Sequence, residues 1–433
     1  MAEIAPFCAY RYNPSQVSLS SVVTQPYDKI TAAMQSRYYD ASPYNLVRII
    51  LGKKLPGDTP TENIYTRAAK DFSQWRSRGI LQQDRDPAIY PYLQRFSVPG
   101  TAKEVERRGF IAVGRIEDYS AGVVHRHEQT LAKPKADRLD LLRATRAHFG
   151  QIFMLYSDPA GEIDRLLTNP AAPEMETTDD YQVVHQVWKI SNPQLVDSLR
   201  SRMRDKKLII ADGHHRYETA LAYRDERRAG AGSRDPSAPY EFVMMTFVNM
   251  DGPGLVILPT HRVVHGLSNF SSDELRDKAR EYFRVEEIDP ELDSNRAAAR
   301  LREAGQVGTA LLAVTRNRAF LLDHPQPGHT EVFNGLSDRQ RALDVVQLHR
   351  CLLEAVLGLS QASIRDQQNL SYVRDTGEAI GLVRRGGANV AFLMNPARVE
   401  QVRDIAFAGE VLPQKSTDFY PKLLSGLAIY ALE

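Results

Sequence analysis

A chain of 433 residues exceeds one ordinary core, and 42 % hydrophobic with 25 % charged residues describes a globular protein of two or three domains. Lys and Arg total 55 against 54 Asp and Glu, so a net charge of +1 excludes a nucleic-acid binder built on bulk charge. Cys8 and Cys351 form no CxxC pair, which excludes a disulfide framework or a cysteine zinc site.

The N-terminus lacks a basic region followed by an apolar core, and no run approaches the length of a membrane span. A cytoplasmic protein with no membrane partner is therefore expected.

In chain order, Val22 to Asp28 reads as a strand ending in a proline turn, and Leu46 to Leu51 as a second strand after Ser42-Pro43-Tyr44-Asn45. Asn63 to Gly79 has helical spacing, with Ala68, Phe72 and Trp75 on one face and Gly79 as the stop. Tyr90 to Phe96 and Arg108 to Arg115 read as strands of a scaffold.

Val123 to Thr130 then gathers His125, Arg126, His127 and Glu128 after a short apolar run. His127 beside Glu128 matches a carboxylate base with a polar neighbour, and the two histidines at alternate positions would share one face of a strand. Lys133, Lys135 and Arg138 lead into a helix from about Asp137 to His148, whose charges form either a solvated face or an anion clamp. Gly161 to Asp180 reads as a connection, Val183 to Ile190 as a strand and Asn192 to Arg204 as a helix.

The next stretch carries the most chemistry. Leu208 to Ala211 is a β-branched apolar run, broken at Asp212-Gly213, and helical composition starts at Tyr217. Asp212, Gly213, His214, His215 and Arg216 thus occupy a strand-to-helix turn. There the free N–H groups and the helix dipole welcome an anion, Gly213 allows close approach, and Arg216 offers a fork that matches phosphate oxygens. In the plainer reading Asp212 caps the helix and Gly213 makes the turn.

Phe242 to Asn249 is a nearly continuous apolar strand. Leu255 to Arg262 reads as another, ending in Thr260, His261 and Arg262, as ligand-binding strand ends do in α/β proteins. Helices and strands alternate from Leu267, with helices at Ser272 to Phe283, Leu292 to Gly305 and Leu343 to about Leu357, and strands at Thr309 to Thr315 and Ala319 to Leu322. Pro413 to Thr417 is a loop in which Lys415, Ser416 and Thr417 have groups able to hold phosphate. No GxxxxGK[ST] or GxGxxG turn is present.

Asp212-Gly213-His214-His215-Arg216 occurs with Tyr27-Asp28, Ser42-Pro43-Tyr44-Asn45, Lys135-Ala136-Asp137-Arg138, Pro259-Thr260-His261-Arg262 and Pro413 to Thr417. Together these resemble, over essentially the whole chain, a bacterial and archaeal family long catalogued as a domain of unknown function. Val123 to Arg262 also resembles the ParB and sulfiredoxin superfamily, and within it the free L-serine kinases, where a His-Glu pair precedes an Asp-Gly-His-His-Arg-like turn.

That resemblance implies an α/β (α+β) fold with mixed sheets: an N-terminal α+β region over 1–120, a ParB/sulfiredoxin-like catalytic core over 121–266 and a C-terminal α/β region over 267–433. The longer stretch between the two motifs implies an inserted loop or sub-domain. The implied activity is phosphoryl transfer from pyrophosphate, ADP or ATP to the hydroxyl of free L-serine. Glu128, Asp212 and His214 would be catalytic, and Asp212 would meet Mg²⁺. Gly213, His214, His215, Arg216, Lys133, Lys135 and Arg138 would hold the donor. His127, Thr260, His261, Arg262, Lys415, Ser416 and Thr417 would hold the substrate. Phosphoryl transfer needs positioning and charge neutralisation above all, which this inventory supplies. The alternatives are a metal-dependent hydrolase using His125, His127, His214 and His215, and a ParB-like nucleotide-dependent switch or DNA-binding protein. No nucleic-acid partner is expected.

Overall fold

The computed structural model describes residues 2–128, 132–168, 171–231, 235–328 and 330–433, without the side chains at 132–134. It is a mixed α/β protein with several sheets. The chain divides into two compact units, one formed by residues 1–126, 130–256 and 421–433 and the other by 127–129 and 257–420.

The first unit is built on a nine-stranded mixed sheet. Its order runs from Val124–His125 through Leu208–Asp212, Ile152–Tyr156, Phe242–Asn249, Glu104–Arg115, Tyr90–Ser97 and Val184–Val187 to Met175–Thr178, and Ile4–Ala5 pairs with Glu104–Arg115. Phe242–Asn249 is buried along its whole length. It pairs parallel with Ile152–Tyr156 and antiparallel with Glu104–Arg115. An uninterrupted apolar run suits such a central strand, whose two faces are both covered.

Leu208–Asp212 pairs parallel with Val124–His125 and antiparallel with Ile152–Tyr156, so the turn after Asp212 leaves the interior of the sheet. Ile64–Ser77 forms as its periodicity predicts. Asn63 accepts from Tyr65 N and Thr66 N in a capping box, Phe72 and Trp75 are buried, and Gly79 ends the helix with φ +70°.

Two predicted strands of this unit do not form. Leu46 to Leu51 contains the helix Val47–Ile50, because the Asn45 side chain accepts from Val47 N at 3.0 Å and the turn buries Val47, Ile49 and Ile50 together. Val22 ends the helix Leu19–Val22, and only Thr24 makes a bridge, to Ser425. At 47–50 that local hydrogen bond and burial outweigh the β preference of branched side chains.

The second unit holds a six-stranded antiparallel sheet in the order Arg284–Ile288, Ala319–Asp323, Ala310–Val314, Val390–Met394, His261–Val264 and Leu370–Val373. Leu255 to Arg262 is not one strand: the chain breaks at Pro259-Thr260, so His261 and Arg262 open the strand His261–Val264 rather than ending one. Pro259 can donate no ladder hydrogen bond, which accounts for the break. The predicted helix from Leu343 begins as an α-helix over Asp344–Gln347 and continues as a π-helix over Leu348–Val356. Among the described residues no helix is long and apolar enough to cross a membrane.

Candidate functional site

In the first unit, the Asp212 turn forms where the buried strand Leu208–Asp212 meets the helix His214–Gly230. Gly213 joins them with φ +97°, in the left-handed region where only glycine rests without strain. A Cβ there would lie 3.0–3.1 Å from the Arg216 guanidinium. Gly213→Ala is therefore expected to cost about 1–2 kcal/mol of stability from backbone strain, read as a lower urea midpoint, and to push Arg216 off its partner.

That partner is Asp212. Arg216 Nη2 donates to Asp212 Oδ2, Arg216 Nη1 donates to the Gln151 carbonyl, and Lys422 Nζ donates to Asp212 Oδ1 at 2.8 Å. Burial alone would raise the Asp212 pKa, but the charges of Lys422 and Arg216, with Lys29 further out, hold it well below the usual carboxylate range. Asp212 is thus an anion at any physiological pH, ringed by more positive charge than it neutralises.

Arg138 lines the same cavity as Arg216, with its charge paired to Asp137. It stacks 4.2 Å from the centre of the Tyr27 ring and donates to Asp137 and to the Ile50 carbonyl. Burial, foremost, pushes the Tyr27 hydroxyl pKa up. Tyr27, Arg138, His148, Arg216, Thr219 and Ser425 line a cavity of 70 Å³ whose remaining walls are largely apolar. Burial brings the His148 pKa down to about 4, so its ring is neutral at pH 7. The Thr219 hydroxyl, in a residue only 4 % exposed, has no hydrogen-bond partner among the described residues. A buried hydroxyl in that state costs free energy until something fills its valence.

Of the other donor-binding residues expected from sequence, His214 is buried and His215 half-buried, both in the first turn of the helix. Lys135 and Arg126 approach Glu218, one turn further along, at 4.0 and 3.7 Å. The Lys133 side chain lies outside the described ones, as do Gln129, Thr130 and Leu131.

In the second unit, Glu128 bridges to Leu412 and anchors the loop at 413–417. Its Oε1 accepts from Ser416 N at 3.1 Å, Thr417 N at 3.2 Å and the Thr417 hydroxyl at 3.2 Å, while Oε2 takes no hydrogen bond among the described residues. His127 Nε2 lies 2.7 Å from Thr417 Oγ1. The single hydroxyl proton of Thr417 goes to Glu128, so His127 is the donor in a chain from imidazole to hydroxyl to carboxylate. Lys415, exposed at the tip of the loop, has φ +57°, a conformation that a non-glycine residue adopts at a cost.

Thr260, His261 and Arg262 sit beneath this loop within the same unit. The His261 ring accepts from Met394 N through Nδ1, at 3.3 Å, and donates through Nε2 to Thr376 Oγ1, at 2.9 Å. Burial brings its pKa to about 4. Arg262 is fully buried and donates to the carbonyls of Thr260 and Gln414. Among the described residues, no group of three or more His, Cys, Asp or Glu side chains is gathered so as to hold a metal ion.

The expected site residues thus fall into two clusters, Asp212 to Arg216 with Lys135 and Arg138 in one unit, and His127, Glu128, Thr260 to Arg262 and Lys415 to Thr417 in the other. Lys422 was missed by sequence reasoning. Its one signal is a lysine set before the apolar Leu423-Leu424, where a charge needs a partner to be buried.

Residues 4–346 match the model of a family described as a protein of unknown function, DUF1015. No curated protein matches the chain. Among solved structures, a conserved hypothetical protein from Pyrococcus furiosus is 11 % identical over 69 % of this chain and 87 % of that one, with a TM-score of 0.35. A free serine kinase in complex with AMP is 14 % identical over 69 % of this chain and 83 % of that one, also at 0.35. SbnI with a C-terminal truncation, from Staphylococcus aureus, is 10 % identical over 75 % of this chain and 89 % of that one, at 0.36.

Proposed function

This chain belongs to the DUF1015 family of proteins of unknown function, and on that premise we propose that it is a small-molecule phosphotransferase. Its reaction is transfer of a phosphoryl group from pyrophosphate, ADP or ATP to the hydroxyl of free L-serine. The observation that carries this reading is the positive charge at the Asp212 turn: Lys422 and Arg216 on the carboxylate, with Lys29 further out. A helix N-terminus with that charge is suited to the oxygens of a transferring phosphoryl group.

In the reaction the serine oxygen bonds to the donor's terminal phosphorus. The bond from that phosphorus to its bridging oxygen breaks, and the leaving phosphate or nucleotide keeps the electron pair. Glu128 receives the serine proton through Oε2, the oxygen with no hydrogen bond among the described residues. Asp212 would meet a Mg²⁺ that arrives on the donor's phosphates, since Mg²⁺ needs only one or two protein carboxylates beside phosphate and water. When bound, the ion would neutralise phosphoryl charge. Each assignment rests on the geometry inside its own unit, and serine as acceptor rests on the His127-Glu128 and Asp212 to Arg216 motifs.

The test is phosphorus NMR of purified protein with L-serine and Mg²⁺, offered pyrophosphate, ADP and ATP in separate tubes. A phosphoserine resonance in one tube is the expected result and names the donor. Three silent tubes beside a working positive control would end the serine kinase reading.

A further inference from the structure

One face of the nine-stranded sheet carries a row of polar side chains at depths where apolar ones are the rule. Arg107, Gln94 and His185 stand opposite one another on three adjacent strands, Gln94 in register with Arg107 on one side and with His185 on the other. Tyr92, two residues before Gln94, shares that face. Arg107, Gln94, His185 and Tyr92 are only 1 %, 2 %, 0 % and 3 % exposed. Burial, first, lowers the Arg107 pKa to about 10, so its guanidinium is still charged at neutral pH, and the charge of Asp212 works to raise it.

Polar groups this deep cost free energy unless their hydrogen bonds are met, and theirs converge on the backbone of one segment. Arg107 Nε donates to Gln94 Oε1 at 3.0 Å, and Arg107 Nη2 donates to the Pro421 carbonyl. Gln94 Nε2 donates to the Lys422 carbonyl at 3.0 Å. Leu424 N donates to the Tyr92 hydroxyl at 3.4 Å, which lies 2.6 Å from His185 Nδ1. Gln151 Nε2 donates to the Leu424 carbonyl at 3.3 Å, while the Gln151 carbonyl accepts from Arg216.

Residues 422–424 belong to no helix or strand. Their place is set by these contacts and by the burial of Leu423 and Leu424. Held by its carbonyl, Lys422 has its side chain directed to the turn, where Nζ meets Asp212 Oδ1 at 2.8 Å. A cation fixed before its ligand arrives needs no reorganisation when the ligand binds.

We propose that Gln94 and Arg107 are positioning residues for the anion site at the Asp212 turn: they hold the peptide at 421–422 so that the Lys422 ammonium meets the donor's phosphates. This rests on the reading of that turn as a phosphate site. All of these residues lie within the first unit.

The test is isothermal titration of the full chain with pyrophosphate, ADP and ATP in separate runs, each with Mg²⁺. Lys422→Ala, Gln94→Glu, Arg107→Lys and the two double variants with Lys422→Ala are then titrated with whichever of the three binds. Lys422→Ala is expected to weaken binding about tenfold, as the loss of a hydrogen bond to a charged group does. Gln94→Glu and Arg107→Lys are each expected to weaken it about threefold. In the Lys422→Ala background neither should weaken it further, because the group they position is gone. Gln94→Glu keeps the acceptor for Arg107 and Arg107→Lys keeps a buried cation; melting curves verify folding, and either variant alone suffices for the comparison. A merely structural role, or the added charge of Gln94→Glu acting by itself, would weaken binding equally in both backgrounds. Equal losses in both backgrounds, or wild-type affinity in both single variants, would overturn the proposal and leave the phosphate reading standing. No binding of any of the three ligands, or wild-type affinity in Lys422→Ala, would end the phosphate reading and this proposal together.

Discussion

Glu128→Gln is expected to lower phosphoserine formation by about 10²–10⁴-fold, the usual contribution of a positioned general base, while binding of pyrophosphate or nucleotide stays at the wild-type level. Glutamine is isosteric and its carbonyl oxygen still accepts from Ser416 N, Thr417 N and the Thr417 hydroxyl, the three bonds that hold the loop. The variant therefore separates two roles of one side chain. If Glu128 serves only to tie down the loop, Gln replaces it and turnover persists. If it accepts the substrate proton, the amide cannot, and turnover is lost with the thermal midpoint unchanged. Initial rates and melting curves measured on the same preparation read both quantities, and unchanged turnover removes Glu128 from the mechanism.

Asp212→Ala carries the second large effect, on stability. Removing the carboxylate leaves Lys422, whose side chain is 9 % exposed, beside Arg216 with no anion between them. Stripping one member from a buried ion pair costs about 3–5 kcal/mol, and about 3 kcal/mol is expected here because Asp212 keeps 18 % of its own exposure.

The pH dependence has a fixed sign. The folded pKa of Asp212 lies below its unfolded value, so its contribution is fully present above the usual carboxylate pKa of about 3.9 and is lost as pH falls from there toward the depressed folded value. The gap between wild type and Asp212→Ala in urea midpoint should hold constant from neutral pH down to about 5 and close below about 4. A gap that closes between pH 5 and 7 would show that another group carries the stability. The same variant tests the anion reading, because pyrophosphate can take the place of the missing carboxylate between Lys422 and Arg216. Pyrophosphate should raise the melting temperature of Asp212→Ala more than that of wild type; an equal rise would argue against anion binding at the turn.

Short-range chemistry determined a good part of this protein from its sequence. The strand, left-handed glycine and helix at 208–230 follow from a β-branched run, Asp212-Gly213 and an alanine-rich stretch. The capped helix at 64–77 and the central strand at 242–249 follow from periodicity and from unbroken apolarity. Each is decided by neighbours within a few residues, which is the range over which propensity and capping act.

What only the tertiary structure decided is which charges meet. Lys422 reaches Asp212 across 210 positions because the last segment, 421–433, belongs to the first unit. Ser416 and Thr417 reach Glu128 across 288 and 289 because residues 127–129 belong to the second. The π register at 348–356 likewise depends on burial and backbone partners that no local pattern carries. The residue types in a motif name the chemistry available, but an ion pair or a buried guanidinium is defined by its partners, and topology chooses those.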